Sequence, residues 1–431
     1  MALHRFAPTG APFASISRLA PIVVAAGLFA GCSSSDDSVT TVPPSGPTST
    51  LTAIDTSGAT DTIVTLPASV DDRIEVLFDR YTQFTAPNGI RVHFLAQTNV
   101  SNETLIRTRG LVRQHLFDVP GTSLGADKSA AFNRAATGGA TFILHENAAS
   151  FDDLDADVIA FKALFGTRLG ILDASTIVSE GGATYVQLSP AFDPSIGSTA
   201  KFALEQGISA GIPAFQTNLD AATTNAVTNA IYTPDVGTAM DMIDDEYLAL
   251  ALGTYYGLFA HDPNANGTSG LNQEYAVLDR ADMQTADPDM FALIESFFRP
   301  NHRYSAFIDT AFVGDFEMAY DVAVPYTNRS QYLERTGIRT PATTRLNGND
   351  LDNVLLGNTL GSTFEGKGGN DVIEAQAGMD IAIMTGAFAE YTITDIGNSV
   401  FEVVDSMAGR DGTDQLRGIT QIVFTDMTVN L

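Results

Sequence analysis

The spacing of apolar side chains changes several times along this chain, and each spacing predicts a different element. Val70, Ile74, Leu77, Phe78 and Tyr81 follow Ser69 at helical intervals, which predicts a helix over residues 70–84 with Ser69 as its N-cap. Ile90, Val92 and Phe94 alternate with Arg91 and His93, the two-residue period of a strand. Ser101-Asn102-Glu103-Thr104 opens a helix to about Phe117, and compact apolar runs predict strands at 141–145, 170–172 and 184–188. Beyond Ser198 helical spacing dominates, notably at 219–231, 244–260 and 289–298. The sum is an α+β body over residues 63–340, with its sheet supplied mostly by the first half.

From Gly348 the period lengthens to nine. In register, the units are GNDLDNVLL from Gly348, GNTLGSTFE from Gly357, GKGGNDVIE from Gly366 and AQAGMDIAI from Ala375. Their eighth positions, Leu355, Phe364, Ile373 and Ala382, give one apolar residue per unit, which is what a stacked coil needs for a narrow continuous core. The glycines permit the sharp turns between strands. The sixth positions are Asn353, Ser362, Asp371 and Asp380.

Residues 346–383 thus resemble the RTX family of calcium-binding nonapeptide repeats, Gly-Gly-x-Gly-x-Asp-x-apolar-x. The segment from Phe388-Ala389-Glu390-Tyr391 to Val423-Phe424-Thr425-Asp426 is similar to the β-rich module that often ends such proteins. The resemblance implies an all-β calcium β-roll, a short parallel β-solenoid, over 345–383 and a β-rich cap over 384–431. It further implies Ca2+ between repeats two apart, held by backbone carbonyls of turns such as Gly366 and Gly368 and by the position-six side chains. That pairs Asp371 with Asn353 and Asp380 with Ser362, one carboxylate per site where the family pattern has two. Affinity falls with ligand charge, so dissociation constants of roughly 10⁻⁴ to 10⁻³ M are expected.

The other end of the chain carries an address. Residues 1–18 contain Arg5 and Arg18 without an acid, residues 19–30 are an apolar run broken only by Pro21, and Leu28-Phe29-Ala30-Gly31-Cys32 follows. A run of about a dozen residues is too short to span a bilayer, which takes about 20, so residues 1–31 read as a signal peptide. Cys32 is the only cysteine and forms no intrachain disulfide. Its setting resembles a bacterial lipobox, which implies a lipidated thiol and, with Ser33 behind it, an outer-membrane or cell-surface lipoprotein. Without the lipid the chain would be secreted. Residues 32–62, rich in Ser, Thr and Pro, read as a tether.

A formal charge of −28 opposes nucleic acid and anionic lipid as partners and favours divalent cations. Within the body, Gly207-Ile208-Ser209-Ala210-Gly211 satisfies the G-x-S-x-G pattern of a nucleophile elbow, with His261 or His302 as the base that would follow. The residues before it, Ala203-Leu204-Glu205-Gln206, favour helix over the strand that such an elbow needs. The six histidines form no H-x-H or H-E-x-x-H pair. Asp262, Asn264 and Asn266 reproduce the first half of an EF-hand loop before Gly267, with Gln273 where a closing Glu belongs, between helices expected at 246–260 and 274–280. The expectation is a calcium-binding, lipid-anchored envelope or surface protein. Its body has a binding or structural role, with a polysaccharide or cell-surface partner. The alternative is an extracellular serine hydrolase with a calcium-stabilised tail.

Overall fold

The computed structural model describes residues 47–183, 185, 193–234, 242–260 and 274–431. The signal peptide, Cys32, His261, Asp262, Asn264, Asn266 and most of the strand expected at 184–188 lie outside the described residues. The tether ends sooner than expected. Leu51 and Ile54 are buried against Tyr81, Leu95 and Ile143, and the Arg91 guanidinium donates to the carbonyls of Thr52 and Ile54 at 2.9 and 2.7 Å. Apolar side chains and a donor in search of acceptors dock this stretch, whereas the composition alone suggested a solvated linker.

Five strands form the body's sheet in sequence order: β1 (Val64–Thr65), β2 (Arg80–Thr85), β3 (Arg91–Ala96), β4 (Thr141–His145) and β5 (Leu169–Asp173). The first two pairings are antiparallel and the last two parallel. The helix expected over 70–84 is reduced to Asp72–Glu75, capped by Asp71 instead of Ser69, and its second half is β2. Tyr81 and Phe84 satisfy either period, and pairing along the whole of β3 decides for the strand.

The chain passes from β3 to β4 through α1 (Asn102–Leu116), capped by Ser101, and α2 (Ser129–Gly138). These cover the sheet face that carries Phe94, Phe142, Leu144 and Leu172. Between β4 and β5 runs α3 (Ala156–Phe165), which packs on the opposite face with Leu95 and Ile143. Helices interleaved with parallel strands on two faces make the body α/β where α+β was expected. Because the chain advances across the sheet in the same direction both times, the two crossovers have opposite hands. Further helices follow: α4 (Ser195–Ala203), α5 (Pro213–Thr228), α6 (Ile243–Tyr255), α7 (Arg280–Ala286) and α8 (Pro288–Glu295). The helix expected from Glu274 begins only at Arg280, since Tyr275 instead bridges to Tyr232.

From Ala306 the chain is mostly strands in two mixed sheets, neither closed into a barrel. One contains β6 (Ala306–Phe307), β8 (Arg335–Gly337), β10 (Val354–Leu356), β12 (Val372–Glu374) and β16 (Thr413–Arg417), each parallel to the next. The other contains β7 (Gly314–Glu317), β9 (Thr343–Asn347), β11 (Thr363–Glu365), β13 (Ile381–Ile383) and β17 (Gln421–Val423), likewise parallel. The antiparallel hairpin of β14 (Tyr391–Gly397) and β15 (Val400–Asp405) extends the first sheet beyond β16, and β18 (Thr428–Asn430) extends the second.

Register aligns two ladders of fully buried residues, Ala306, Thr336, Leu355, Ile373 and Leu416 in one sheet and Phe316, Leu346, Phe364, Ala382 and Ile422 in the other. The eighth positions of all four units lie on these ladders. The ladders also reach further than the nonamer block. They begin in β6, before residue 345, and end in strands of the segment expected as a cap.

Candidate metal-binding turns

The nonamer block is stitched by its position-six side chains. Asn353 N donates to Asp371 Oδ1 at 2.7 Å, and Ser362 N donates to Asp380 Oδ1 at 2.8 Å. The expected pairs, Asp371 with Asn353 and Asp380 with Ser362, are therefore neighbours across parallel turns. Each aspartate is almost wholly buried, at 1% and 0% exposure, and in each the second oxygen, Oδ2, has no hydrogen-bond partner among the described residues. A buried carboxylate oxygen without a donor is costly, and native structures leave few such groups unexplained. Burial pushes the Asp371 carboxyl up to about 7 against the relief from Asn353 N–H, and burial raises Asp380 as well.

The glycines admit this geometry. A Cβ at Gly366 would overlap Asp371 Oδ2, and one at Gly369, where φ is +108°, would stand 2.5 Å from Leu351 O. Gly368 approaches Asp350 and the Arg410 carbonyl at 3.2 and 3.3 Å by the same measure. The partners of the aspartates are not equivalent. Asn353 closes its own turn, accepting from Asn349 N at 2.9 Å and donating to Asn349 Oδ1 at 3.0 Å. Ser362 Oγ accepts only a long bond, 3.4 Å, from Asn358 N.

Sequence reasoning missed Asp414. Residues 409–417, GRDGTDQLR, repeat the nonamer with Gly409 and Gly412 at positions one and four, Asp414 at six and Leu416 at eight. The signal was present, but residues 384–408 separate this unit from the block. Register sets Gln415 opposite Val372, so Asp414 lies beside Asp371, and Asp371 N donates to Asp414 Oδ1 at 2.9 Å. Burial, then the charge of Asp371, push Asp414 up to about 8. The corresponding neighbour of Asp380 is Thr420, whose N and Oγ1 both donate to the Asp380 carbonyl.

Oxygen donors of carboxylate and backbone type in a Gly-rich turn suit a hard divalent cation such as Ca2+. Among the described residues no three His, Cys, Asp or Glu side chains converge on a common metal position. Turns of this kind would take their remaining ligands from main-chain carbonyls.

Of the catalytic candidates, Ser209 and His302 lie in separate surroundings. Ser209 sits inside a continuous helical stretch that follows the π-helical turn Leu204–Ile208, with no strand-to-helix elbow, and its Oγ donates to Gln216 Oε1 at 2.6 Å. His302 is fully buried between Tyr256 and Tyr304, with Nδ1 bonded to the Gln114 amide at 2.9 Å. Ser209 does line an open cleft of about 690 Å³ together with Glu205, Asp244 and Asp245. There burial, then the neighbouring charge of Glu205, push Asp245 up to about 7. Among the described residues no histidine lines the cleft, and His302 is not part of it.

Among known proteins, no family model and no curated protein matches this chain. No helix among the described residues is long and apolar enough to cross a membrane.

Proposed function

We propose that this chain is a calcium-binding protein of the cell envelope or surface, anchored by lipid at Cys32, whose stacked Gly-rich turns form a short β-roll filled by Ca2+. The observation that carries the reading is the pair of buried, partnerless oxygens, Asp371 Oδ2 and Asp380 Oδ2, in turns of nonapeptide spacing. A cation bound at each turn would satisfy its oxygen and remove the cost of burying it. Calcium is abundant outside the cytoplasm, where the signal-peptide pattern of residues 1–31 would deliver the chain. At about ten times such a dissociation constant, each site adds about 1.4 kcal/mol of stability.

The roll is then a folding device, and the body carries a binding or structural role toward a polysaccharide or cell-surface ligand. Calorimetry on the full chain tests the calcium reading. Millimolar-range uptake that falls in Asp371→Asn and Asp380→Asn supports it, and no heat or uptake at millimolar calcium would sink it. Mass spectrometry of the mature N-terminus tests the anchor, since an unmodified Cys32 removes it.

A further inference from the structure

β12 does not find its second parallel neighbour in the strand that follows β13. Residues 384–408 intervene, carrying the β14–β15 hairpin, and only then does the chain return to lay β16 beside β12. The return is tightly made. Asp371 N donates to Asp414 Oδ1 at 2.9 Å and Thr413 N to Asn370 Oδ1 at 3.0 Å. Gly412, at φ +74°, lies so close to Gly369 O that a Cβ there would overlap it. β15 joins the parallel strands only through β16, and β14 only through β15.

This junction also concentrates negative charge. The carboxylates of Asp371 and Asp414 belong to adjacent turns joined by the Asp371 N–H to Asp414 Oδ1 bond, with Asp352 and Asp411 nearby. The adjacent cation, Arg410, is already committed to Asp405 at 2.6 Å and Glu390 at 2.6 Å. Asp411 is occupied by Thr385 and Tyr391. Asp371 Oδ2 is left buried against the Gly366 turn, without a hydrogen-bond partner among the described residues. Asn353, on the other side of Asp371, is neutral and engaged with Asn349.

Resting on the calcium reading above, we propose that Asp414 is the second carboxylate of the Asp371 site, and that Ca2+ held there latches the last coil, with the hairpin on its edge, to the turn at 366–371. Without the ion, docking β16 brings two carboxylates together. With it, the same juxtaposition becomes an attachment, because each charge is paired through the cation. The Asp371 site thus has the two carboxylates that the block alone lacked, and the Asp380 site does not.

Hydrogen exchange on the full chain, with calcium chloride against chelator, tests the latch. Calcium is expected to slow exchange in residues 391–405 and 413–417 at least tenfold, relative to β3 and β4 as internal reference. Asp414→Asn keeps an oxygen for the Asp371 N–H, and it is expected to abolish that response and weaken calcium binding at least tenfold. Asp380→Asn is expected to leave the hairpin response intact. Should the wild type take up no calcium, the underlying reading falls. If instead calcium binds but hairpin exchange is unchanged, or Asp414→Asn binds as tightly as wild type, the latch is overturned and the calcium reading stands. The wild-type comparison keeps the test open should the variant fail to fold.

Discussion

A carboxyl group that is harder to ionise when folded makes the fold sensitive to pH in a definite direction. Asp371 is pushed up to about 7 and Asp414 up to about 8, in each case chiefly by burial, whereas an ordinary Asp titrates near 3.8. Because they interact, the two titrate as a pair. Between about pH 4 and 8 the unfolded chain gives up protons that the metal-free fold retains, so the pair's contribution is full at the low end and lost as pH rises. In chelator, the urea midpoint of the wild type relative to Asp371→Asn should therefore fall from pH 5 to pH 8, and saturating calcium should remove the trend. A relative midpoint that rises over this window would contradict the assignment. Backbone geometry offers a second residue-scale test. Gly369 and Gly397 both have positive φ, +108° and +90°, but only Gly369 is crowded, with Leu351 O at 2.5 Å from an added Cβ, while Gly397 has nothing within 4 Å. Gly397→Ala should cost about 1 kcal/mol and Gly369→Ala about 3 kcal/mol or more in urea unfolding. Equal costs would show that the turn can relax around a methyl group.

Among the elements, the strand ladders contain one misfit. Thr336 stands between Ala306 and Leu355 in the buried row, fully enclosed, with no partner for its Oγ1 among the described residues. Thr336→Val keeps the branched shape and removes the stranded hydroxyl, so stability should rise by about 1–2 kcal/mol, read as a higher urea midpoint with unchanged slope. A lower midpoint would mean that the hydroxyl is satisfied in solution. The same residue explains why β6 and β8 were illegible in the sequence. A buried row that reads Ala306, Thr336 has no hydrophobic period, and the connections between these strands lack the repeated glycines, running instead through loops and α9 (Thr327–Ser330). Where each unit is short and carries both Gly and an apolar eighth residue, as at 348–383, the strands were readable. The region 70–84 failed for the opposite reason: Tyr81 and Phe84 fit two periods at once, and the neighbour that chooses between them, β3, is a tertiary fact. At the site, Asp371 and Asp380 were legible from spacing, but the pairing of Asp414 required the return of the chain past the hairpin.

For the whole molecule, the parallel strands are not a module appended to the body, because buried charges tie their first rungs into it. Glu180 bridges in parallel to Ile308, accepts from Phe307 N at 2.9 Å and Tyr304 Oη at 3.0 Å, and faces Arg107 at 3.5 Å. Asp193 accepts from Arg107 of α1 at 2.8 Å and from Arg329 of α9 at 2.5 Å. Burial alone would raise the Asp193 carboxyl, but the two guanidinium charges outweigh it and hold the group well below the usual carboxylate range. Arg329 lies between β7 and β8 in sequence and also donates to Tyr185 O at 2.9 Å, so one fully buried side chain joins the start of the strand stack to the body. Removing one partner of a buried ion pair leaves the other charge uncompensated, which typically costs about 3–5 kcal/mol. Arg329→Met fills comparable volume without the charge and should lower unfolding stability by that amount. The loss should appear together in far-UV circular dichroism and tyrosine fluorescence, since body and strands share the network, and calcium should recover only part of it. Exchange protection that drops in β3 and β4 while β10–β13 keep theirs would instead mean that the strand stack folds on its own, with the first nonamer unit at Gly348 as its true beginning.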